Sequence, residues 1–329
     1  MTLRAVATGL ALALLANACK PPVQVTPAAA GASAAEIALT GASVLIGVGD
    51  IASCDSEGDE QTARLVDSVL KADSVAGVSD AVFTLGDNTY PDGAASEFAI
   101  CFTPSWGDSA KRIMAKIHPS VGNHEHLSER AAPYYQYFGS KAGPDKRGYY
   151  SYDLGEWHII VLNSEIIVNS SFTAAERKAQ EDWLRAEFEG PQKVCTLAYW
   201  HHARFSSGWH RGESRLQPIW QILADGGASV ILSGHDHHYE RFLPQSPAGI
   251  ADSVNGMVQY VVGTGGGELR GFSGRPAPNS AAQVEGHFGV LKLSLGKGEY
   301  SSAFLDAGGR VYDSHSGKCR AAADPPPIE

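Results

Sequence analysis

The chain has 329 residues, 43% of them hydrophobic and 19% charged, enough apolar material to bury a full core as one large or two modest domains. Its formal charge is -10 and no lysine- or arginine-rich patch breaks that acidic balance, which argues against a nucleic-acid partner. A local cationic metal site would still be able to bind an anion.

Residues 1–18, MTLRAVATGLALALLANA, place Arg4 ahead of an apolar run too short to span a bilayer and end in small residues, the pattern of an export signal. Ala16-Asn17-Ala18 fits a small-x-small cleavage site, while Cys19 stands where a bacterial lipoprotein carries its lipidated cysteine. Both readings export the chain, to the periplasm or beyond, and differ only in membrane anchoring. Residues 19–40 are rich in Pro, Ala, Gly and Ser without a periodic apolar face and are expected to form a flexible linker. Export makes the other cysteines interpretable. Cys54, Cys101, Cys195 and Cys319 form an even set with three pairings open in an oxidising compartment. Cys54 with Cys101 and Cys195 with Cys319 is favoured, since the first two follow neighbouring strands and the second pair would pin the C-terminal end to a sheet.

Ser43 to Val48 is a β-branched apolar run ending in Gly49-Asp50 and predicts a buried strand. A helix follows over about Asp59 to Ala72, with Leu65, Val66, Val69 and Leu70 on one face. Ala81 to Leu85 repeats the strand and runs into Gly86-Asp87-Asn88-Thr89-Tyr90. Phe98 to Trp106 predicts a short helix and a surface loop. Ile117 to Val121 is a third, proline-interrupted strand that leads into Gly122-Asn123-His124-Glu125. Tyr134, Tyr135, Tyr137 and Phe138 are packing residues. Tyr149 to Asp153 and His158 to Leu162 alternate as a hairpin would, with His158 structural. Thr173 to Glu176 is a capping box that opens a helix to about Phe188. Val194 to Trp200 is a strand with His201-His202 at its end. Arg215 to Ala224 is helical, and the apolar run Ala228 to Leu232 leads into GHDHHYER, Gly234 to Arg241. Beyond Arg241 the texture is that of antiparallel strands, over Met257 to Val262, Val290 to Ser294 and Tyr300 to Leu305. The glycines Gly263 and Gly265 to Gly267 lack the spacing and terminal Lys of a phosphate-binding P-loop and predict a tight turn near the site. Residues 320–329 are expected to be a disordered tail.

Five strand-end turns thus carry Asp50; Asp87 and Tyr90; Asn123 and His124; His201; and His235 and His237. Ligands of α/β sheets gather at such carboxyl ends, and imidazoles, carboxylates and an amide oxygen suit Fe, Zn or Mn. The series GD, GDxxY, GNHE, strand-end His and GHxHxYER, over about residues 43 to 245, resembles the calcineurin-like metallophosphoesterases, and among them the purple acid phosphatases. The resemblance implies a two-sheet α/β/β/α sandwich over residues 41–319, a single catalytic domain with its metals at the strand ends. It implies that Asp50, Asp87, Tyr90 and His237 hold one metal, with Fe(III) suited to the phenolate. Asp87, Asn123, His201 and His235 would hold the second, an Fe, Zn or Mn(II) ion. Ala52 stands where the wider superfamily has a histidine, which favours the tyrosine-ligated branch. His201 is preferred over His202 by its distance from Ala203 and Phe205, although the family has proline at position 203.

By the same resemblance, metal-bound hydroxide would attack a small-molecule phosphate monoester in line with its leaving group. His124 would protonate or hydrogen-bond the leaving oxygen, Glu125 would orient that imidazole, and His210 would contact substrate. Two alternatives stay open: a phosphodiesterase or nucleotidase on the same site, and a surface lipoprotein that binds metal or phosphate without turnover.

Overall fold

The two apolar runs that end in Gly-Asp, β1 (Ser43–Val48) and β2 (Asp80–Leu85), lie side by side and parallel, with Val44 opposite Asp80 and Val48 opposite Thr84. Every residue of both strands is buried, which is why neither alternates polar with apolar. β3 (Ile117–Ser120) continues the parallel set on β2. The computed structural model describes residues 39, 41–190 and 193–320. The expected export signal, Cys19, nearly all of the linker and all of the tail except Arg320 lie outside the described residues.

A second sheet begins with the expected hairpin, β4 (Tyr150–Leu154) and β5 (Trp157–Val161), and adds β6 (Cys195–Tyr199) and β7 (Val230–Ser233) in parallel. GHDHHYER is more than a turn: its last residues start β8 (Tyr239–Phe242). Then come β9 (Val258–Val262), β10 (Ser280–Val284), β11 (Gly289–Leu295), β12 (Glu299–Asp306) and β13 (Val311–Lys318). One sheet has the order β13-β12-β11-β1-β2-β3 and the other β10-β8-β9-β7-β6-β5-β4. The expectation of purely antiparallel strands after Arg241 needs one correction, because β9 runs parallel to β7 while pairing antiparallel with β8.

The sheets pack face to face. Leu45, Phe83 and Leu293 of the first and Ile159, Leu197, Val230 and Leu232 of the second share one hydrophobic cluster. The alternate residues Ile160, Ala198 and Ile231 point the other way, into a cluster with Leu184, Ile219, Trp220 and Leu223 from the helices Ala174–Ala186 and Gln217–Asp225. Helix Gly58–Ala76 buries Ala63, Val66 and Leu70 on the outer side of the first sheet. Thr173 caps the helix Ala174–Ala186 as its sequence requires, exchanging hydrogen bonds with Glu176. The result is the expected α/β/β/α sandwich. Among the described residues no helix is long and apolar enough to cross a membrane.

The segment from Phe98 to Trp106 has the expected short helix, Phe98–Phe102, and exposes Ile100 and Pro104, but its large aromatic side chains point inward. Phe98, Phe102 and Trp106 are all at most 1% exposed, and the Trp106 indole donates to Thr62 Oγ1 at 3.2 Å. Cys101 in this segment is bonded to Cys54, and Cys195 is bonded to Cys319, the favoured pairing. The second bond ties β6 to the end of β13 across 124 residues of chain.

The Tyr-Glu-Arg of β8 alternates faces. Tyr239 and Arg241 both reach Asp313 of β13: the Tyr239 hydroxyl donates at 2.7 Å, and Arg241 donates bidentately at 2.7 and 3.0 Å. Glu240 points the opposite way and accepts from the Ser207 backbone N–H at 2.8 Å and from the Ser207 hydroxyl at 2.5 Å. The Arg241–Asp313 pair therefore joins the two sheets with both side chains about one-tenth exposed. Removing one member leaves a nearly buried charge unpaired, so Asp313→Ala is expected to destabilise the fold by about 3–5 kcal/mol. Urea denaturation checks this, and an unchanged midpoint would show the pair to be dispensable.

Candidate metal centre

Asp50 stands two residues beyond the end of β1, Asp87 two beyond β2, His201 two beyond β6 and His235 two beyond β7; Asn123 stands three beyond β3. The first two turns extend the strand pairing as a parallel ladder: Asp50 N–H donates to Gly86 O at 3.0 Å and Ile51 N–H to Asp87 O at 2.9 Å. Asp50, Asp87 and His235 all have positive φ, of 59°, 46° and 69°, a conformation that costs non-glycine residues about 1–3 kcal/mol each. These kinks turn the side chains across the strand ends. Gly86, at φ 80°, also keeps space open, since a Cβ there would lie 2.7 Å from His201 Nδ1. A Cβ on Gly122 would collide with Asp87 Oδ1.

The side chains converge as two sets. In the first, the Tyr90 hydroxyl lies 3.0 Å from Asp50 Oδ1, 3.2 Å from His237 Nε2 and 3.4 Å from Asp87 Oδ2, and His237 Nε2 lies 3.3 Å from Asp50 Oδ1. In the second, His201 Nε2 lies 2.9 Å from Asn123 Oδ1, 3.1 Å from His235 Nδ1 and 3.3 Å from Asp87 Oδ2. Asp87 Oδ2 belongs to both. Ligand atoms about 2.1 Å from one ion and roughly at right angles lie about 3 Å apart, so both sets fit a coordination polyhedron.

Hydrogen bonding around the sets fixes which atoms face inward. His201 Nδ1–H donates to Leu85 O at 2.7 Å and His237 Nδ1–H to Glu268 O at 2.5 Å, leaving each Nε2 lone pair aimed at carboxylate or amide oxygen. Acceptors facing acceptors need a cation or a proton between them. In the protein alone that role falls to protons: burial opposes a charged His201, yet Asp87 beside it pushes the imidazole up to about 10. Burial likewise opposes a charged Asp87, yet His201 and His124 hold its carboxyl well below the carboxylate range. Burial, with Asp50 and Asp87 nearby, keeps the Tyr90 phenol protonated far above its usual range.

His124 lies over Tyr90, ring centroids 4.6 Å apart, with Nε2 3.8 Å from Asp87 Oδ2 and Nδ1 on the Pro91 carbonyl. Glu125 was expected to orient that imidazole, and the structure gives it another job. Its Oε2 accepts from Gly122 N–H at 2.7 Å and Asp87 N–H at 3.0 Å, and its Oε1 from Asn88 N–H at 2.6 Å. Consecutive helical residues do not share a face, and a glutamate in the first helical turn folds back onto the helix entry. Glu125 thus holds the Asp87 turn against the Asn123 turn from a fully buried position. His210 packs its ring on His235 at 4.2 Å, and Asp236, between the two GHDHH histidines, accepts from His210 N–H at 2.9 Å and from the Ser206 hydroxyl at 2.5 Å. Desolvation lowers the His210 imidazole below the usual range, with Asp236 pulling up and Arg270 down. His202 bonds Ser164 Oγ at 2.9 Å and approaches Glu165 at 3.6 Å, yet its ring is 4.3 Å from His235 and a ring nitrogen lies within 4.8 Å of ligand atoms of His201 and His235, at the margin of the second set.

Sequence reasoning missed the supporting roles of Asp236 and Glu240, the Glu268 carbonyl, and Arg270 beside His210. Asp236 was legible in one respect, as a short carboxylate between two histidines in a left-handed turn. Arg270 sits alone among glycines, and only the path of the loop brings it back.

The calcineurin-like phosphoesterase family model matches residues 44–239. Acid phosphatase type 7 of Mus musculus is 24% identical over 271 residues, spanning 70% of this chain and 58% of the relative. Purple acid phosphatase 23 of Arabidopsis thaliana is 23% identical over 168 residues, 46% of this chain and 35% of the relative. The chain therefore spans about half or less of the curated relatives it matches. The purple acid phosphatase PPD1 from yellow lupin, Lupinus luteus, superposes with a TM-score of 0.67 at 19% identity, covering 83% of this chain and 53% of that one, which establishes the shared fold.

Glu125→Ala should lower stability by about 2–4 kcal/mol, since more than one buried N–H loses its acceptor. The loss should be the same in a His124→Ala background, as read by urea denaturation of the metal-free protein. Were Glu125 to act through the His124 ring, the loss would vanish in that background.

Proposed function

The chain belongs to the calcineurin-like phosphoesterase family, and on that premise we propose that it is an exported phosphomonoesterase with a binuclear metal centre, acting on small-molecule phosphate monoesters at acid to neutral pH. Residues 41–319 would form its catalytic domain. The observation that carries this reading is the pair of donor sets sharing Asp87 Oδ2. Asp50, Asp87, Tyr90 and His237 would hold one ion, Fe(III) being suited to the phenolate, and Asp87, Asn123, His201 and His235 an Fe, Zn or Mn(II) ion. Bound there, the ions would offset phosphoryl charge and activate water for in-line attack.

The chain's own residues supply the rest. His124, with Nδ1 engaged by the Pro91 carbonyl, holds Nε2 at 3.8 Å from Asp87 Oδ2, where it would hydrogen-bond or protonate the leaving oxygen. Glu125 keeps the Asp87 and Asn123 turns in register, and Asp236 holds the His210 loop against the second donor set. The two disulfides support export into an oxidising compartment, where Cys19 would offer a lipid anchor.

Hydrolysis of an aryl phosphate monoester beside the matching diester, across pH, tests the reading. The monoester should turn over faster, and Asn123→Ala should lower kcat/KM by more than about 100-fold, the upper end of what even outer residues of metal sites contribute. Faster diester hydrolysis would make the protein a phosphodiesterase, and no turnover of either would favour a binding protein. Iron-loaded protein should also absorb visible light through a Tyr90 phenolate, and Tyr90→Phe should abolish the band. A colourless iron-loaded parent would remove Tyr90 from the ligand set.

A further inference from the structure

The loop leaving β9 is laced to the first donor set along its length. Gly265 N–H donates to Gly49 O at 3.0 Å and Gly267 N–H to Asp50 O at 2.9 Å, Glu268 O accepts from His237 Nδ1, and Arg270 N–H donates to His237 O at 3.0 Å. The backbone of Arg270 is thereby pinned beside His237. Its side chain extends toward the other set through His210: one guanidinium N–H donates to His210 Nε2 at 3.0 Å, and the His210 ring rests on His235. The arginine therefore stretches from the His237 side of the centre to the His235 side.

Its charge is not used up on the way. The acid near it, Glu268, stands 3.6 Å off with its side chain 80% exposed, an arrangement that water screens. The Arg270 side chain is itself 38% exposed, so part of its five-donor fork remains available to a ligand. His210 Nε2, by accepting from Arg270, is not a donor at that atom. The neutral imidazole then has its one N–H at Nδ1, so most of the N–H groups that this edge of the site can offer an anion are those of the guanidinium.

We infer that Arg270 is a substrate-contacting residue whose guanidinium binds the phosphoryl oxygens of the ester, and that His210 is the positioning residue that aims it. The inference rests on the phosphoesterase reading above and reassigns the substrate contact expected of His210. A planar fork matches two phosphoryl oxygens at once, which a single imidazole cannot do. Because the contact is to charge on the phosphoryl group, a dianionic monoester or inorganic phosphate should depend on it more than a monoanionic diester.

The test compares the full-length parent with Arg270→Ala, Arg270→Lys, His210→Ala and the Arg270→Ala/His210→Ala double variant, with metal content and melting temperature recorded for each. Arg270→Ala should lower kcat/KM for an aryl monoester by about 100-fold, the scale of losing one preorganised donor to a reacting oxyanion. Inorganic phosphate should inhibit it about tenfold more weakly than the parent, with metal content unchanged, and Arg270→Lys should recover part of both. Adding His210→Ala to Arg270→Ala should cost little further activity, since His210 acts through the arginine. The inference is overturned if Arg270→Ala stays within about twofold of the parent on both readouts, if its loss follows metal content, or if His210→Ala costs as much in the Arg270→Ala background as in the parent. A parent inactive on every phosphate ester would sink the phosphoesterase reading alone, because calorimetric binding of inorganic phosphate to metal-loaded parent and Arg270→Ala protein would still decide the role of Arg270.

Discussion

Asp87 Oδ2 lies within 3.4 Å of both the Tyr90 hydroxyl and His201 Nε2, so one carboxylate oxygen is shared by two groups of acceptor atoms. Such a cluster holds together only with protons or cations between its acceptors, a need that grows on burial, where charges interact more strongly. The surrounding structure is arranged to keep it together. The imidazole Nδ1 atoms of His201 and His237 are committed to backbone carbonyls, which prevents those rings from turning away. The second oxygens of Asp50 and Asp87 are taken by the backbone N–H groups of His235 and His124. Each carboxylate thus has one oxygen for structure and one for the site.

The sandwich is what brings that cluster together. Three parallel strands of one sheet and two of the other end at the same place, and each presents its first donor within two or three residues, Asn123 at the start of the short helix Asn123–Leu127. The left-handed backbone at Asp50, Asp87 and His235 is a cost carried by the sheets, offset by turns that continue the β1–β2 ladder past the strand ends. Support extends outward through Asp236 and Glu240 to the Ser206–His210 loop, and through Arg241 and Asp313 to the far edge strand. The electrostatic centre and the edge of the first sheet are linked by one short run, His235 to Arg241.

Strands buried on both faces were legible because their apolar runs are continuous and stop at a glycine or at polar residues. That pattern located β1, β2, β6 and β7 and the turns that carry Asp50, Asp87, Tyr90, His201, His235 and His237, whereas Asn123 follows the proline-interrupted β3. Elements whose residues face mixed surroundings were not. β8 reads Tyr-Glu-Arg-Phe, polar on both faces because each polar group finds a buried partner across the fold; β10 and β13 are edge strands whose small and polar residues carry little period. The burial of Phe98 and Trp106 depends on a disulfide and on helix Gly58–Ala76, both remote in sequence. Glu125 showed the limit of adjacency as an argument: it follows His124 in the chain, and helical geometry sends the two side chains to different tasks. Arg270 depended wholly on the path of a glycine-rich loop, which local sequence does not encode.

The measurement that bears most directly on this account is metal stoichiometry by elemental analysis of reconstituted, dialysed protein. Two donor sets joined at Asp87 predict two ions per chain in the parent, one in His237→Ala, and fewer than one in Asp87→Ala, because losing the shared oxygen weakens both sets. One ion in the parent, or two retained by Asp87→Ala, would contradict the shared-carboxylate centre on which the rest of the structure has been argued to depend.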